Sequence, residues 1–156
     1  MTPSSSHNTS TDLLGSASQA VTESMRNAPL HLLRRALQRY AKAWQNAVPL
    51  LSPPQYAVLL AISRIRGLNQ SALSEITAID PATLAELLGR LEKKGLLNRL
   101  EDPNHSRRNL LEITAEGLAE LQQAEACEAK VRNEVLGMLS REEQQAFITI
   151  LNKIVG

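Results

Sequence analysis

The side chains of this 156-residue chain that can do chemistry are mainly guanidinium groups. Arg34, Arg35 and Arg39 sit close together, with no Asp or Glu between Arg26 and Leu51. Arg90, Arg99, Arg107 and Arg108 form a second group. A guanidinium is a planar fork of donors that matches carboxylate or phosphate and stays charged at any working pH. That is the chemistry of anion recognition, not of turnover. The three histidines, His7, His31 and His105, lack the spacing of metal ligands. There is no glycine-rich phosphate loop. Cys127 is the single cysteine, which rules out an intrachain disulfide and fits a reducing, cytoplasmic setting. The expectation is a non-enzyme without metal or cofactor.

Charge is distributed unevenly. The formal net charge is only +1, which alone does not point to nucleic acid. Yet residues 26–51 hold five Lys/Arg and no acid, and residues 90–108 hold six Lys/Arg against three acids. Residues 112–134 reverse this, with six acids against two bases. Charge scatter on solvated faces is the plainer alternative. Aromatic residues are only 3% of the chain, too few for the stacking platforms of single-strand binders. No apolar run reaches the roughly 20 residues that span a bilayer. The Ser/Thr-rich start lacks the basic and apolar regions of a secretory signal.

These side chains must be positioned by elements legible in the sequence. Residues 1–28 read as a flexible tail, with a short helix over Asp12–Met25. A helix over Leu30–Ala47 carries Leu30, Leu33, Leu37, Tyr40 or Ala41, and Trp44 at three- and four-residue steps. Ser52-Pro53-Pro54-Gln55 is a capping box that opens a second helix ending near Gly67. Its expected inner face is Tyr56, Leu59, Leu60, Ile62 and Ile65. A short helix over Gln70–Thr77 turns Leu73 and Ile76 inward. A tight turn, Ala78-Ile79-Asp80, leads to a helix over Pro81–Lys94 with Leu84, Leu87, Leu88 and Leu91 apolar and Gly95 as its stop. Leu96–Glu101 and Arg108–Ile113 alternate as two strands around the turn residues 102–106. Thr114 caps a long helix to about Leu139, striped by Leu121, Ala124, Cys127, Val131, Val135 and Met138. Cys127 therefore reads as an inert thiol rather than a redox sensor. Ser140 and Glu143 cap a last helix to about Val155.

A short helix, a tight turn and a capped helix form the pattern of a helix-turn-helix. In that unit the second helix enters the major groove N-terminus first. Ala82 and the Thr83 methyl could meet a thymine methyl, and the Thr83 hydroxyl a base edge. The following hairpin would be a basic wing, with His105, Arg107 and Arg108 at its tip for the minor groove or the backbone.

Residues 30–117 resemble the MarR family. The resemblance rests on Leu51-Ser52-Pro53-Pro54-Gln55-Tyr56, on Thr83, and on Arg90-Leu91-Glu92-Lys93-Lys94-Gly95-Leu96. It continues through Asp102-Pro103, Arg107 and Ile113-Thr114-Ala115-Glu116-Gly117. It implies a mainly α fold with a small β-wing: a tail (1–28), an N-terminal dimerisation helix (29–50), a winged helix-turn-helix lobe (51–113) and C-terminal dimerisation helices (114–156). It implies a homodimer that represses transcription from a pseudo-palindromic operator in double-stranded DNA. A helical interaction module that keeps the winged shape is the alternative. Thr83 and Arg90 are the expected DNA contacts on the reading helix. Ser71 is either a phosphate ligand or an exposed polar residue, and Arg99 either touches the backbone or braces the strands. The family usually has Asp two positions before the wing arginine, where this chain has His105. Arg107 is then held by Asp102, or by nothing until DNA arrives.

Leu32-Leu33-Arg34-Arg35-Ala36-Leu37-Gln38 also resembles family members that control catabolism of aromatic acids. This implies release by a small anionic aromatic effector, of hydroxynicotinate or benzoate type, at His31, Arg34, Arg35, Tyr40 and Trp44. The alternative there is that Tyr40 and Trp44 are core and the arginines are solvated or paired with a partner's acidic helix.

Overall fold

The structure, a computed structural model, describes residues 18, 19, 21–102 and 105–156, those at 102 and 105–108 through their backbone alone. Among the described residues, beyond the helical stretch before Asn27, six helices and one hairpin follow in order: α1 (Pro29–Ala47), α2 (Pro53–Arg64), α3 (Gln70–Thr77), α4 (Pro81–Lys93), β1 (Leu97–Asp102), β2 (His105–Ile113), α5 (Ala115–Leu136) and α6 (Arg141–Val155). Of the tail expected over 1–28, residues 1–17 and 20 lie outside the described residues, while 18, 19 and 21–26 are helical, against the short helix expected over Asp12–Met25. The chain divides into two compact units at Tyr40/Ala41, within α1.

In the first unit, His31 and Tyr40 are half-buried, and Leu30, Leu33 and Leu37 are exposed. The apolar stripe read from the sequence is therefore uncovered at Leu30, Leu33 and Leu37, whereas Trp44 at its far end is buried.

The second unit is built around leucine. Leu51, Val58, Leu59, Leu73, Leu84, Leu88, Leu91, Leu97 and Leu121 are fully enclosed. The start signals act as written. Ser52 Oγ accepts from Gln55 N–H while Gln55 Oε1 accepts from Ser52 N–H, and Ser140 with Glu143 repeats the device. Each such cap satisfies donors that a helix end otherwise leaves unpaired. Lys94 and Gly95 end α4: Gly95 N–H reaches the Glu92 carbonyl and Leu96 N–H the Leu91 carbonyl, with Gly95 at φ +71°.

Two expected faces are corrected. On α2 the buried residues are Gln55, Val58, Leu59 and Ile62, while Ile65 is exposed. The helix stops at Arg64 and Ile65 turns to extended backbone, which takes it off the helical face. On α3 the inward row is Leu73 and Thr77, four apart, so Ile76 faces solvent. β1 is shifted one residue toward the tip, β2 begins at His105 rather than Arg108, and α5 ends three residues early, leaving Met138 exposed.

The hairpin pairs Leu97 with Ile113 through Glu101 with Asn109, with an irregularity at Glu101/Asp102. Its base is bolted to the helical lobe. Leu111 N–H donates to the Leu68 carbonyl at 2.8 Å, and Asn69 bridges Leu110. The run Ile113–Gly117 has a physical reason. Thr114 Oγ1 caps α5 through Gly117 N–H and donates to the Gly95 carbonyl at 2.7 Å. Thr114 N–H donates to the Leu96 carbonyl. A Cβ on Gly117 would overlap that same Leu96 oxygen. Gly117→Ala is thus expected to destabilise the fold by about 1–3 kcal/mol, the usual range for overpacking. Urea unfolding checks this, and a loss under about 0.5 kcal/mol would contradict the close approach.

Candidate nucleic-acid interface

The turn between α3 and α4 sets the start of α4. Asn69 Oδ1 caps α3 through Ala72 N–H at 3.0 Å. The helix ends at Ala78 in the left-handed region, φ 52°. Ser74 Oγ donates to the Ile79 carbonyl at 2.6 Å and holds the turn closed. Asp80 then caps α4 by accepting from Thr83 N–H at 3.0 Å. Hydrogen bonds from Thr83, chiefly through its side chain and then its backbone, hold the Asp80 carboxyl below the ordinary carboxylate range. A depressed folded-state value means that the cap contributes at neutral pH and is lost as pH falls through that value.

The face of α4 opposite the core is free. Leu84, Leu87, Leu88 and Leu91 are buried, while Pro81, Ala82, Thr83 and Arg90 are exposed. Arg90 pairs with Glu86 at 3.2 Å, both side chains at least 70% exposed. Such a pair contributes little to stability. Ser71, exposed on the first turn of α3, and Arg99, half-buried on β1, line one cleft of about 480 Å³ with Asn69, Gln70, Glu75 and Asn109. The Arg99 guanidinium already has partners there: Nε donates to Glu92 Oε2 at 2.9 Å and Nη1 to Gln70 Oε1 at 3.4 Å. The side chains of His105, Arg107 and Arg108, and of Asp102, lie outside the description, though the backbone at 105–108 belongs to β2. Among the described residues no cluster of three His, Cys, Asp or Glu could hold a metal. None of their helices is long and apolar enough to cross a membrane.

The candidate effector residues are dispersed along α1. Arg34 and Arg35 are exposed, and Arg34 Nη2 approaches His31 Nδ1 at 3.5 Å. Trp44 is buried, its ring 5.0 Å from that of Tyr56 and its indole N–H donating to the Leu51 carbonyl at 2.7 Å. Burial, then Glu128 and Glu125, push the Tyr56 phenol above its ordinary value, so it stays neutral.

Sequence reasoning missed Gln70, Glu92 and Lys94. Lys94 Nζ donates to the Leu50 carbonyl at 3.0 Å, the residue before the one that receives the Trp44 N–H. The end of α1 and the end of α4 thus hold neighbouring carbonyls of one loop. Sequence reasoning also missed the Asn69 cap, for which an Asn directly before α3 is the signal. The partners of Gln70 and Lys94 lie too far along the chain for any local pattern.

Comparison with known proteins agrees with this geometry. The model of the MarR family matches residues 51–109. Transcriptional regulator HosA of Escherichia coli O111:H- is 41% identical over 132 residues, 85% of this chain and 98% of that protein. The PcaV transcriptional regulator of Streptomyces coelicolor, solved with its natural ligand, superposes with a TM-score of 0.79 at 33% identity, covering 84% of this chain and 94% of PcaV. Bordetella bronchiseptica BpsR, solved to explain how 6-hydroxynicotinic acid regulates its DNA binding, gives a TM-score of 0.73 at 30% identity, covering 81% and 97%. With a capped reading helix, a two-stranded wing and relatives of this closeness, the chain belongs to the MarR family of winged-helix transcriptional regulators.

Proposed function

We propose that the chain is a homodimeric repressor that reads a pseudo-palindromic operator and is released from it by a small anionic aromatic ligand. The observation that carries DNA reading is the exposed N-terminal turn of α4. Pro81, Ala82 and Thr83 stand exposed on a helix whose other face is locked by four buried leucines. Arg90 can exchange Glu86 for a DNA acceptor at small cost, because the pair is solvent-exposed. Arg107, Arg108 and His105 on the wing, and Ser71 on α3, supply the backbone contacts. The uncovered apolar residues of α1 and of α6, where Ile148, Ile150, Ile154 and Val155 are exposed, support the dimer.

Arg107→Ala is expected to weaken binding to all duplexes alike and to flatten the salt slope by about one unit for one lost phosphate contact. Thr83→Ala is expected to reduce discrimination between operator and random DNA instead. Titration of both variants against labelled duplexes checks this. Wild-type behaviour from both would refute the docking, and salt-insensitive binding would favour a protein-interaction module.

Release is supported by BpsR, whose DNA binding is regulated by 6-hydroxynicotinic acid, and by PcaV, solved with its natural ligand. Arg34 and Arg35 carry unneutralised sequence charge on α1, suited to a carboxylate. His31 stands beside Arg34, and Tyr40 and Trp44 follow on the same helix. The loop at Leu50 and Leu51, held by both Trp44 and Lys94, offers a mechanical link to the end of α4. A ligand acts only if it favours one arrangement of the reading helices over the other, with couplings of about 1–3 kcal/mol. A hydroxynicotinate or benzoate is therefore expected to change Trp44 fluorescence and weaken operator binding in parallel. Arg34→Ala with Arg35→Ala should abolish both responses and leave DNA affinity nearly intact. A broad panel of aromatic acids with neither effect would refute this part while leaving DNA reading in place.

A further inference from the structure

We propose that Arg99 is a positioning residue for base reading, acting through Gln70 on the first turn of α4, rather than a group that meets DNA. This deepens the DNA-reading function proposed above and rests on it.

Four groups form one chain. Glu92, on the last turn of α4, accepts from Arg99 Nε at 2.9 Å. Arg99, on β1, donates through Nη1 to Gln70 Oε1 at 3.4 Å. Gln70, at the start of α3, donates through Nε2 to the Pro81 carbonyl at 3.4 Å. The chain leaves the C-terminal end of α4, crosses the wing base and α3, and returns to the N-terminal end of α4. The orientation of the Gln70 amide follows from its neighbours. A guanidinium can only donate, so it faces the amide oxygen, and a carbonyl can only accept, so it faces the amide nitrogen.

Both ion-pair members are about one-third exposed, 29% for Arg99 and 32% for Glu92, in contrast to the open Arg90–Glu86 pair. The Arg99 fork is thus engaged within the lobe. Pro81 is the first residue of α4, beside Ala82 and two before Thr83. Recognition sites need their reading groups held within about 0.5 Å. Buried leucines fix the inward face of α4, and the Gln70 contact fixes its first turn against the wing. The two longer bonds are individually weak, so the role is registry rather than stability.

The test uses the full chain, a duplex that the wild type selects from a random pool, and a random duplex. Gln70→Ala and Arg99→Lys are each expected to lower the ratio of selected to random affinity by about three- to tenfold, the worth of one hydrogen bond. Lysine keeps the charge but cannot fork to Glu92 and Gln70 together. The salt slope should be unchanged in both, and the double variant should be no worse than either single. Gln70→Glu still accepts from Arg99 but cannot donate to the Pro81 carbonyl. It should lose the ratio while its urea midpoint stays at or above that of the wild type, which separates reading from folding. A ratio preserved in Gln70→Ala would overturn the proposal. So would a ratio preserved in Arg99→Lys with a salt slope flattened by about one unit in Arg99→Ala, the mark of a phosphate contact. A wild type that enriches no duplex would overturn DNA reading itself, and this proposal with it.

Discussion

Trp44→Ala is expected to cost about 3–5 kcal/mol, the range for removing a buried large aromatic side chain. Domains of this size are stable by only about 5–15 kcal/mol, so the variant should be partly unfolded at modest urea. The cost has separable parts. The indole is 3% exposed and lies 5.0 Å from the Tyr56 ring, so truncation opens a cavity between α1 and α2. Its N–H also satisfies the Leu51 carbonyl at 2.7 Å, and Leu51 is itself buried. Trp44→Phe keeps most of the ring but leaves that carbonyl unpaired, for about 1–3 kcal/mol. Urea midpoints of the two variants measure both parts. A loss under about 1 kcal/mol for Trp44→Ala would mean that the α1–α2 loop is held by something else.

The second large effect is electrostatic. The net charge of +1 conceals the basic segment at 90–108, which contains the end of α4, β1 and the start of β2. Each phosphate neutralised by Arg or Lys releases condensed counterions, so affinity falls as a power of salt concentration. With about three phosphate contacts per protomer, a dimer should lose about 10³-fold in affinity between about 50 and 200 mM salt. Random duplex should show a similar slope at lower affinity, because backbone contacts carry no sequence information. Fluorescence anisotropy across a salt series measures this. A slope near zero would remove the wing and α3 from the interface.

Local signals were legible in the sequence. Ser52 with Gln55, Asp80 before Pro81, Thr114, and Ser140 with Glu143 all cap where they were read, because a cap needs only residues three apart. Leu84, Leu87, Leu88 and Leu91 are buried as expected, since a longer amphipathic helix fixes its own face. The short helix α3 does not. With two turns, its inward row is chosen by its neighbours, which is how Thr77 took the place expected of Ile76. Ile65 was misplaced because periodicity does not say where a helix stops. On the candidate interface, the exposure of Thr83 and Arg90 follows from their places opposite the leucine face of α4. The partners of Arg99 could not, because Gln70 is 29 residues away and only the fold brings the wing base to α3. The leucines of α1 were visible as a stripe, and Leu30, Leu33 and Leu37 stand exposed in the single chain.

The most direct measurement is selection of duplexes from a random pool by the full-length chain at physiological salt. DNA reading by two symmetry-related α4 helices predicts convergence on a pseudo-palindrome whose half-site centres lie about one helical turn, 34–36 Å, apart. The recovered sites should bind at least about 10³-fold more tightly than random duplex. Recovered sequences with no shared half-site, bound no better than the starting pool, would contradict the account.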